Sequence, residues 1–415
     1  MASVTPPRGM RDFTPAVKAQ RERVLSRIRD SYRAHGFDEI ETPVMEESSR
    51  LSAGLGGDNE KLAFGILKRG LTAEDIAGAA STADLIDMGL RYDLTVPLAR
   101  FYATNRAELP PVFRAIQIAP VWRAERPQKG RFRQFVQCDM DIIGESGIIA
   151  EAELLTATLA TLDALGVMGT TIRINDRRIL MGMLAALGLT DTASALITLD
   201  KLDKVGASGV IDELRERGTP ESALETLSAL LSSHATPTAA PTVAAMTAAL
   251  PAGVAPDAVA ELAAIADAVG HTGRLIFDPF LVRGMGYYTG AIFEVAHPDV
   301  DYSLGGGGRY DGMIGQFLGT DAPAVGLSLG FERLVDLVTD SDSADVTSVA
   351  VIYDPELTAA DLIATKNSLM AEGLRVRLVV KTKNTRAILD QLDHDGFRRY
   401  AFLNPGEPLE WKTLE

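Results

Sequence analysis

The 415-residue chain has one cysteine, Cys138. A single cysteine forms no internal disulfide and builds no cysteine-based zinc centre. The five histidines, His35, His234, His271, His297 and His394, are scattered, with no HxxxH or HxH spacing. Long apolar runs are missing too: none reaches the roughly eighteen residues that a bilayer crossing needs. The opening MASVTPPRGMRDF lacks the apolar stretch of a secretory signal. There is no G-x-x-x-x-G-K-[ST] and no G-x-G-x-x-G, so a P-loop or a Rossmann dinucleotide site is unsupported. These absences lead to the expectation of a soluble, cytoplasmic protein with no resident metal and no membrane partner.

Positive charge is in short supply. Asp and Glu number 56 against 41 Lys and Arg, and the net charge is -15. That balance argues against coating nucleic acid by bulk charge. Yet RAERPQKGRFRQFVQ (123–137) gathers Arg123, Arg126, Lys129, Arg131 and Arg133 against Glu125 alone. A patch acts mainly within a Debye length, so a local anion site is compatible with an acidic whole.

Hydrophobic residues make up 46% of the chain, and its length suggests two or three domains. Residues 17–37 repeat apolar positions at helical spacing, with Val17, Val24, Ile28 and Tyr32 on one face and Gly36 as the stop. DEIETPVME (38–46) then reads as a strand stopped by Pro43. PVFRAIQIAPVWRAE (111–125) and RFRQFVQCDMDIIG (131–144) alternate around a charged turn and read as a hairpin. A helix is expected over 150–167 and a strand over 170–176. From 177 to 270 the pattern is helical and Ala-rich, with 232–258 read as linking sequence between short helices. Strand signals return in RLIFDPFLV, YYTGAIFEVAH and SLGGGGRYDGM. GLSLGFERLVDLV (326–338) reads as a strand entering a helix. After a linker at 340–345, strands and helices alternate to the end, as in a small α/β domain. The fold class is therefore α+β. The expected division is a core over 1–176, a helical insertion over 177–270, the core resumed over 271–339, and a final domain over 346–415.

The chemistry lies with arginine on β-structure. Arg123, Arg283 and Arg333 come from three separate segments, each near glycine or at a strand end. Guanidinium forks match phosphate oxygens and stay charged in any setting. One such arginine reads as a surface ion pair; three from one sheet read as a triphosphate clamp. Phe132 and Phe135 interleave with the charged loop and offer a face on which a base can stack. Asp93 and Thr95 in RYDLTVPLAR suit an ammonium group. Gln137, Asp139 and Asp141 share one strand face and suggest a lined pocket. The run Gly305 to Gly308 is poor for a strand and reads as a close approach to a ligand or as a loop.

These residues resemble histidyl-tRNA synthetase, a class II aminoacyl-tRNA synthetase, from PPRGMRDF (6–13) to the end. IETPVMEE is similar to motif 1, VWRAERPQKGRFRQF to motif 2 and VGLSLGFERL to motif 3. LVRGMGYYTGAIFE and SLGGGGRYDGM resemble the two histidine-specific signatures. LRYDLTVPLAR, INDRRILMGML and LDKLDKV resemble the branch that includes the eukaryotic enzymes. The resemblance implies a six-stranded antiparallel sheet with flanking helices, a helical insertion, a C-terminal anticodon-binding-like α/β domain and a homodimer. It implies histidine, ATP with Mg²⁺ and tRNA(His) as substrates, and no zinc. Arg123 would meet the α-phosphate and the histidine carboxylate, Glu125 the adenine amine, and Arg131 the outer phosphates. Phe135 would stack on adenine, and Arg333 would hold the γ-phosphate. Arg283 would be catalytic. Asp93, Thr95 and Gln137 would hold the amino group; Asp141, Tyr287 and Tyr288 would line the imidazole pocket. Two departures stand out. Gly286 occupies a place where the family usually carries an acid, and the tail after Asp345 is shorter than usual. Two relatives share the pattern: the regulatory subunit of ATP phosphoribosyltransferase, which senses histidine, and paralogues that adenylate for another acceptor. The first generally lacks the arginine clamp that is present here.

Overall fold

The computed structural model describes residues 4–52, 62–128, 130–189, 191–233, 240–270, 273–283, 287–338 and 347–414. Lys129, His234, His271, Gly286 and the linker expected at 340–345 lie outside them. The chain forms two compact units, Met1–Arg11 with Ser26–Val338, and Asp12–Leu25 with Thr339–Glu415.

Helix α1 (Pro15–Ala34) buries Val24, Ile28 and Tyr32, while Val17, expected on the same face, stays exposed. Gly36, at φ +83°, turns the chain where a side chain would be strained. The single strand expected over 38–46 is two. β1 (Asp38–Glu39) runs parallel to a later strand, and Ile40 N still bonds to Ile116 O. Pro43 has no N–H to continue the ladder, and β2 (Met45–Glu47) belongs to a second sheet. That sheet is completed, after α2 (Ser48–Ser52), by β3 (Phe64–Leu67) and, beyond α3 (Ala73–Gly78), by β4 (Ile86–Leu90), in the order β2-β4-β3. Helix α4 (Thr95–Asn105) follows.

The expected hairpin forms. β5 (Phe113–Trp122) and β6 (Gln134–Ile143) pair antiparallel from Phe113 opposite Ile143 to Trp122 opposite Gln134. Helix α5 (Ile149–Ala164) and β7 (Thr171–Asp176) complete the first stretch of the core. The helical segment contains α6 (Arg177–Ala186), α7 (Thr192–Leu199), α8 (Leu202–Glu216), α9 (Glu221–Ser233), α10 (Val243–Ala248) and α11 (Pro256–Val269). Within the expected linking sequence, α10 buries Met246.

The chain returns through β8 (Leu275–Phe277), β9 (Ala291–Ala296), β10 (Gly305–Arg309), α12 (Asp311–Leu318), β11 (Ala324–Gly330) and the one-turn α13 (Phe331–Leu334). β8 is shorter than its sequence pattern because Asp278 and Pro279 turn the chain: Asp278 accepts from Phe280 N at 2.9 Å. The main sheet has eight strands in the order β1-β5-β6-β11-β10-β9-β7-β8. The middle six pair antiparallel, as expected; β1 and β8 are added parallel at the two edges.

The glycine run proved to be a strand after all. β10 lies fully paired between β9 and β11. A Cβ on Gly305, Gly307 or Gly308 would fall inside 3.0 Å of backbone atoms, and one on Gly306 inside 3.0 Å of the Arg283 guanidinium. The poor strand propensity is overridden by tertiary packing that leaves no room for a side chain.

In the second unit, β12 (Ser348–Tyr353), α14 (Ala359–Ala371), β13 (Arg375–Val380), α15 (Thr385–His394), β14 (Arg399–Leu403) and β15 (Lys412–Thr413) alternate as expected. β12 is central and parallel to β13 and β14. Val349 and Val351 pack with Leu369 on one face, Ala350 and Ile352 with Leu392 and Phe397 on the other. Both faces are covered, which explains the unbroken apolar run.

Candidate active site

Segments of the first unit gather around β6 (Gln134–Ile143). Asp93 lies just before α4 and accepts from Val96 N at 3.3 Å. Tyr92 O accepts from Arg123 Nε at 3.0 Å, which ties the residue after β5 to the Asp93 turn. Gln137, Asp139 and Asp141 alternate along β6 and are all buried. Tyr310 donates to Asp141 Oδ1 at 2.5 Å, and Tyr287 hydrogen-bonds with Thr95. The rings of Tyr287 and Tyr288 meet edge-on, centroids 4.8 Å apart, and Tyr310 lies 6.0 Å from Tyr287.

This pocket is acidic and buried. Burial raises Asp93 to about 6 against the pull of Val96 N–H and Arg123. Burial also raises Asp139, to about 7, with Asp93 adding to the rise while Ser328 and Gln137 bond to the charged form. Asp141 is pushed well above the carboxylate range by burial and by Asp139. Among the described residues, two buried acceptors have no hydrogen-bond partner, Asp93 Oδ2 and Gln137 Oε1. Buried acceptors are seldom left unpaired, so a donor-bearing, cationic ligand fits them.

The raised value has a consequence for stability. Below about pH 4 both folded and unfolded chains keep the Asp139 proton, and nothing is lost. Between about pH 4 and 7 the unfolded chain releases it while the folded chain holds it, so stability falls as pH rises, fully so above 7. Asp139→Asn is therefore expected to raise the thermal midpoint at pH 8, by on the order of 2–4 kcal/mol of stability, and much less at pH 4.5. An equal gain at both pH values in calorimetry would contradict the assignment.

Beyond the acidic end lies a cluster of cations. Arg283 is ion-paired to Glu294 at 2.6 Å, and Glu294 is held in turn by Arg173 at 2.9 Å. Arg173 also pairs with Asp278 and, at 3.2 Å, with Asp203 of α8. Arg333 donates to Ser303 O at 2.6 Å and Gly130 O at 3.3 Å. Burial lowers its pKa, and Arg131, Arg283 and Arg123 lower it further. A guanidinium so crowded by like charge is one that a nearby anion would stabilise. Arg123 lies over the Phe135 ring at 5.1 Å. Glu125 and Arg131 face each other at 3.8 Å on the exposed hairpin tip.

The three arginines are not on strands, although the sequence suggested that they would be. Arg123 follows the end of β5, Arg283 sits in the loop after β8, and Arg333 is on α13. Strands aim the site, and the segments leaving them carry it. Sequence reasoning missed Tyr310, Ser328, Glu294 and Glu332. Tyr310 immediately follows the glycine strand, a signal that was available. Glu332 accepts from Val136 N at 3.3 Å and pairs with Arg11, fixing α13 against β6. GLSLG (326–330) has the G-x-S-x-G spacing of a hydrolase elbow, but Ser328 lies inside β11 opposite Asp139, not on a strand-to-helix turn. A cleft of about 410 Å³ shares none of the expected site residues, and its lining pairs internally, Glu151 with Arg309 and Asp176 with Arg178. Among the described residues no cluster of His, Cys, Asp and Glu is suited to a metal ion, and no helix is long and apolar enough to cross a membrane.

A sequence model of the family described as histidyl-tRNA synthetase matches residues 9–334. The chain is 58% identical, over its full length and 99% of the relative's, to a histidine–tRNA ligase of Leifsonia xyli subsp. xyli. A probable histidine–tRNA ligase of Tropheryma whipplei is 42% identical, with 98% of this chain and 97% of that protein covered. A crystal structure of histidyl-tRNA synthetase from a Nostoc species superposes with a TM-score of 0.77 at 24% identity, covering 100% of this chain and 95% of that one. A Bacillus halodurans chain, described as an ATP phosphoribosyltransferase regulatory subunit/histidyl-tRNA synthetase, gives 0.75 at 21%, covering 97% and 99%. At these identities the two structures speak for the fold alone.

Proposed function

Because the chain belongs to the histidyl-tRNA synthetase family, we propose that this site activates histidine with ATP and passes it to tRNA(His). A histidine carboxylate oxygen attacks the α-phosphorus of ATP, the bond to the bridging oxygen breaks, and pyrophosphate leaves. A hydroxyl at the 3′ end of the tRNA then attacks the carbonyl carbon of histidyl-adenylate, and AMP departs. Magnesium arrives with the triphosphate as part of the substrate.

The observation that carries the reading is the pairing of orphaned acceptors with clustered cations. Asp93 Oδ2 and Gln137 Oε1, buried and unpartnered, suit the α-ammonium of an amino acid, with Thr95 beside them. Asp141 accepts from an imidazole N–H, with Tyr287 and Tyr288 closing the pocket. Arg123 lies between the amino acid and the phosphates. Arg283 places positive charge at the α-phosphate, where negative charge grows in the transition state. Arg131 and Arg333 take the outer phosphates, while Phe135 stacks on adenine and Glu125 accepts from its amine. We assign the second unit to the anticodon arm, where its cations lie over rings: Arg377 over Phe397 at 4.4 Å and Arg399 over Trp411 at 5.0 Å. We further assign a cytoplasmic homodimer, with exposed Val44 and Met45 in the segment that resembles motif 1.

Histidine-dependent ATP–pyrophosphate exchange tests the reading. Exchange with histidine, and with none of the other amino acids, is the expected result. Histidine binding by calorimetry without exchange would favour a histidine sensor, and exchange without tRNA charging would favour another acceptor.

A further inference from the structure

Gln137 is useful to an ammonium ligand only if its carbonyl oxygen faces the pocket. A glutamine amide is nearly symmetric in shape, so something has to decide which end points inward. Both amide hydrogens are engaged. Nε2 donates to Asp139 at 3.2 Å and to Ser328 Oγ at 3.0 Å. Ser328 also hydrogen-bonds with Asp139. The three side chains close a triangle across β6 and β11, where Ser328 lies opposite Asp139 in the register. With the N–H₂ end consumed, Oε1 is left facing away from the triangle, buried and without a partner. Once Asp139 is ionised, above about pH 7, a flipped amide would set its oxygen against a carboxylate with no hydrogen between them.

We propose that Asp139 is a positioning residue: with Ser328 it fixes the sense of the Gln137 amide, and through it the recognition of the substrate's α-ammonium group. Asp139 itself need not touch the substrate. The inference rests on the histidine-activating reading of the site. An anionic Asp139 only accepts, whereas Asn in its place both donates and accepts, so Asp139→Asn removes the choice while keeping the shape.

The test compares two ligands by calorimetry at pH 8, where Asp139 is ionised: histidine, and 3-(imidazol-4-yl)propionate, which is histidine without the amino group. Wild-type protein is expected to prefer histidine. In Asp139→Asn the affinity for histidine should drop by roughly tenfold to a hundredfold, the range of a hydrogen bond to a charged group. Affinity for the des-amino analogue should change by less than about twofold, well under 1 kcal/mol. Ser328→Ala, which removes one leg of the triangle, should lose part of the same preference. In exchange kinetics the loss should sit in KM for histidine, with KM for ATP unchanged. If wild-type protein does not bind histidine, the reading of the site fails. If wild-type protein binds histidine and both variants keep the preference, the positioning role is wrong. Equal loss of both ligands would also overturn it, since that is the mark of a damaged pocket.

Discussion

Arg283→Ala is expected to lower histidine-dependent exchange by on the order of a thousandfold or more while the protein stays folded. Removing a preorganised donor from a developing anionic charge costs about that much when the site is shielded from water. The fold should survive for a local reason. Arg283 keeps about a quarter of its side chain exposed, at 26%. Its partner Glu294 does not become an unpaired buried charge, because Arg173 still holds Glu294 at 2.9 Å. The thermal midpoint is therefore expected to move by no more than about 2 °C. Exchange within tenfold of wild type would remove Arg283 from the catalytic role. A collapsed midpoint with lost exchange would show that Arg283 is structural.

The glycine strand gives the second large effect, and it splits between adjacent positions. A Cβ on Gly306 would overlap the guanidinium of Arg283, the far end of a flexible side chain that can shift only by giving up its ion pair with Glu294. Gly306→Ala should therefore fold normally and lose exchange by about a hundredfold, the order that a small misplacement of a reacting group costs. A Cβ on Gly307 would overlap the backbone of Gly326 and Leu327 in β11. Backbone cannot yield without opening the β10–β11 ladder in the middle of the main sheet. Gly307→Ala should cost more than about 3 kcal/mol and leave little soluble protein. The two variants are distinguished by circular dichroism melts and exchange. A stable, active Gly307→Ala protein would contradict the packing described for β10.

What could be read from the sequence followed the range over which each signal acts. The β5–β6 hairpin was legible because alternation and a charged turn are local properties. So was the alternating second unit, where β12 is buried on both faces. The single strand at 38–46 was misread because nothing local shows that β1 and β2 join different sheets on either side of Pro43. β10 was only half legible for a similar reason: strand signals return there, yet four glycines look unfavourable until the approach of β9, β11 and Arg283 is known. Among the site residues, Asp93 and Gln137 were found through their motifs. Their orphaned oxygens were not visible, because an unmet hydrogen bond is a property of the assembled pocket. Glu294 gave no signal at all, since its importance lies in being shared between Arg283 and Arg173. The site departure at Gly286 falls outside the described residues.

The strand order of the main sheet also sets a sequence of events in time. β5 and β6 are joined by a short tip and can pair early. β6 and β11 are neighbours in the sheet, yet the Gln137–Ser328 bond between them joins residues 191 apart in the chain. Closing so long a loop is entropically slow, and long-range strand pairing is delayed accordingly. Everything that orients the Gln137 amide waits for that pairing, while the helices between the two strands form from local contacts. During refolding, helical signal should thus recover well before ligand binding does. Substrate recognition is a clock for the last step of folding.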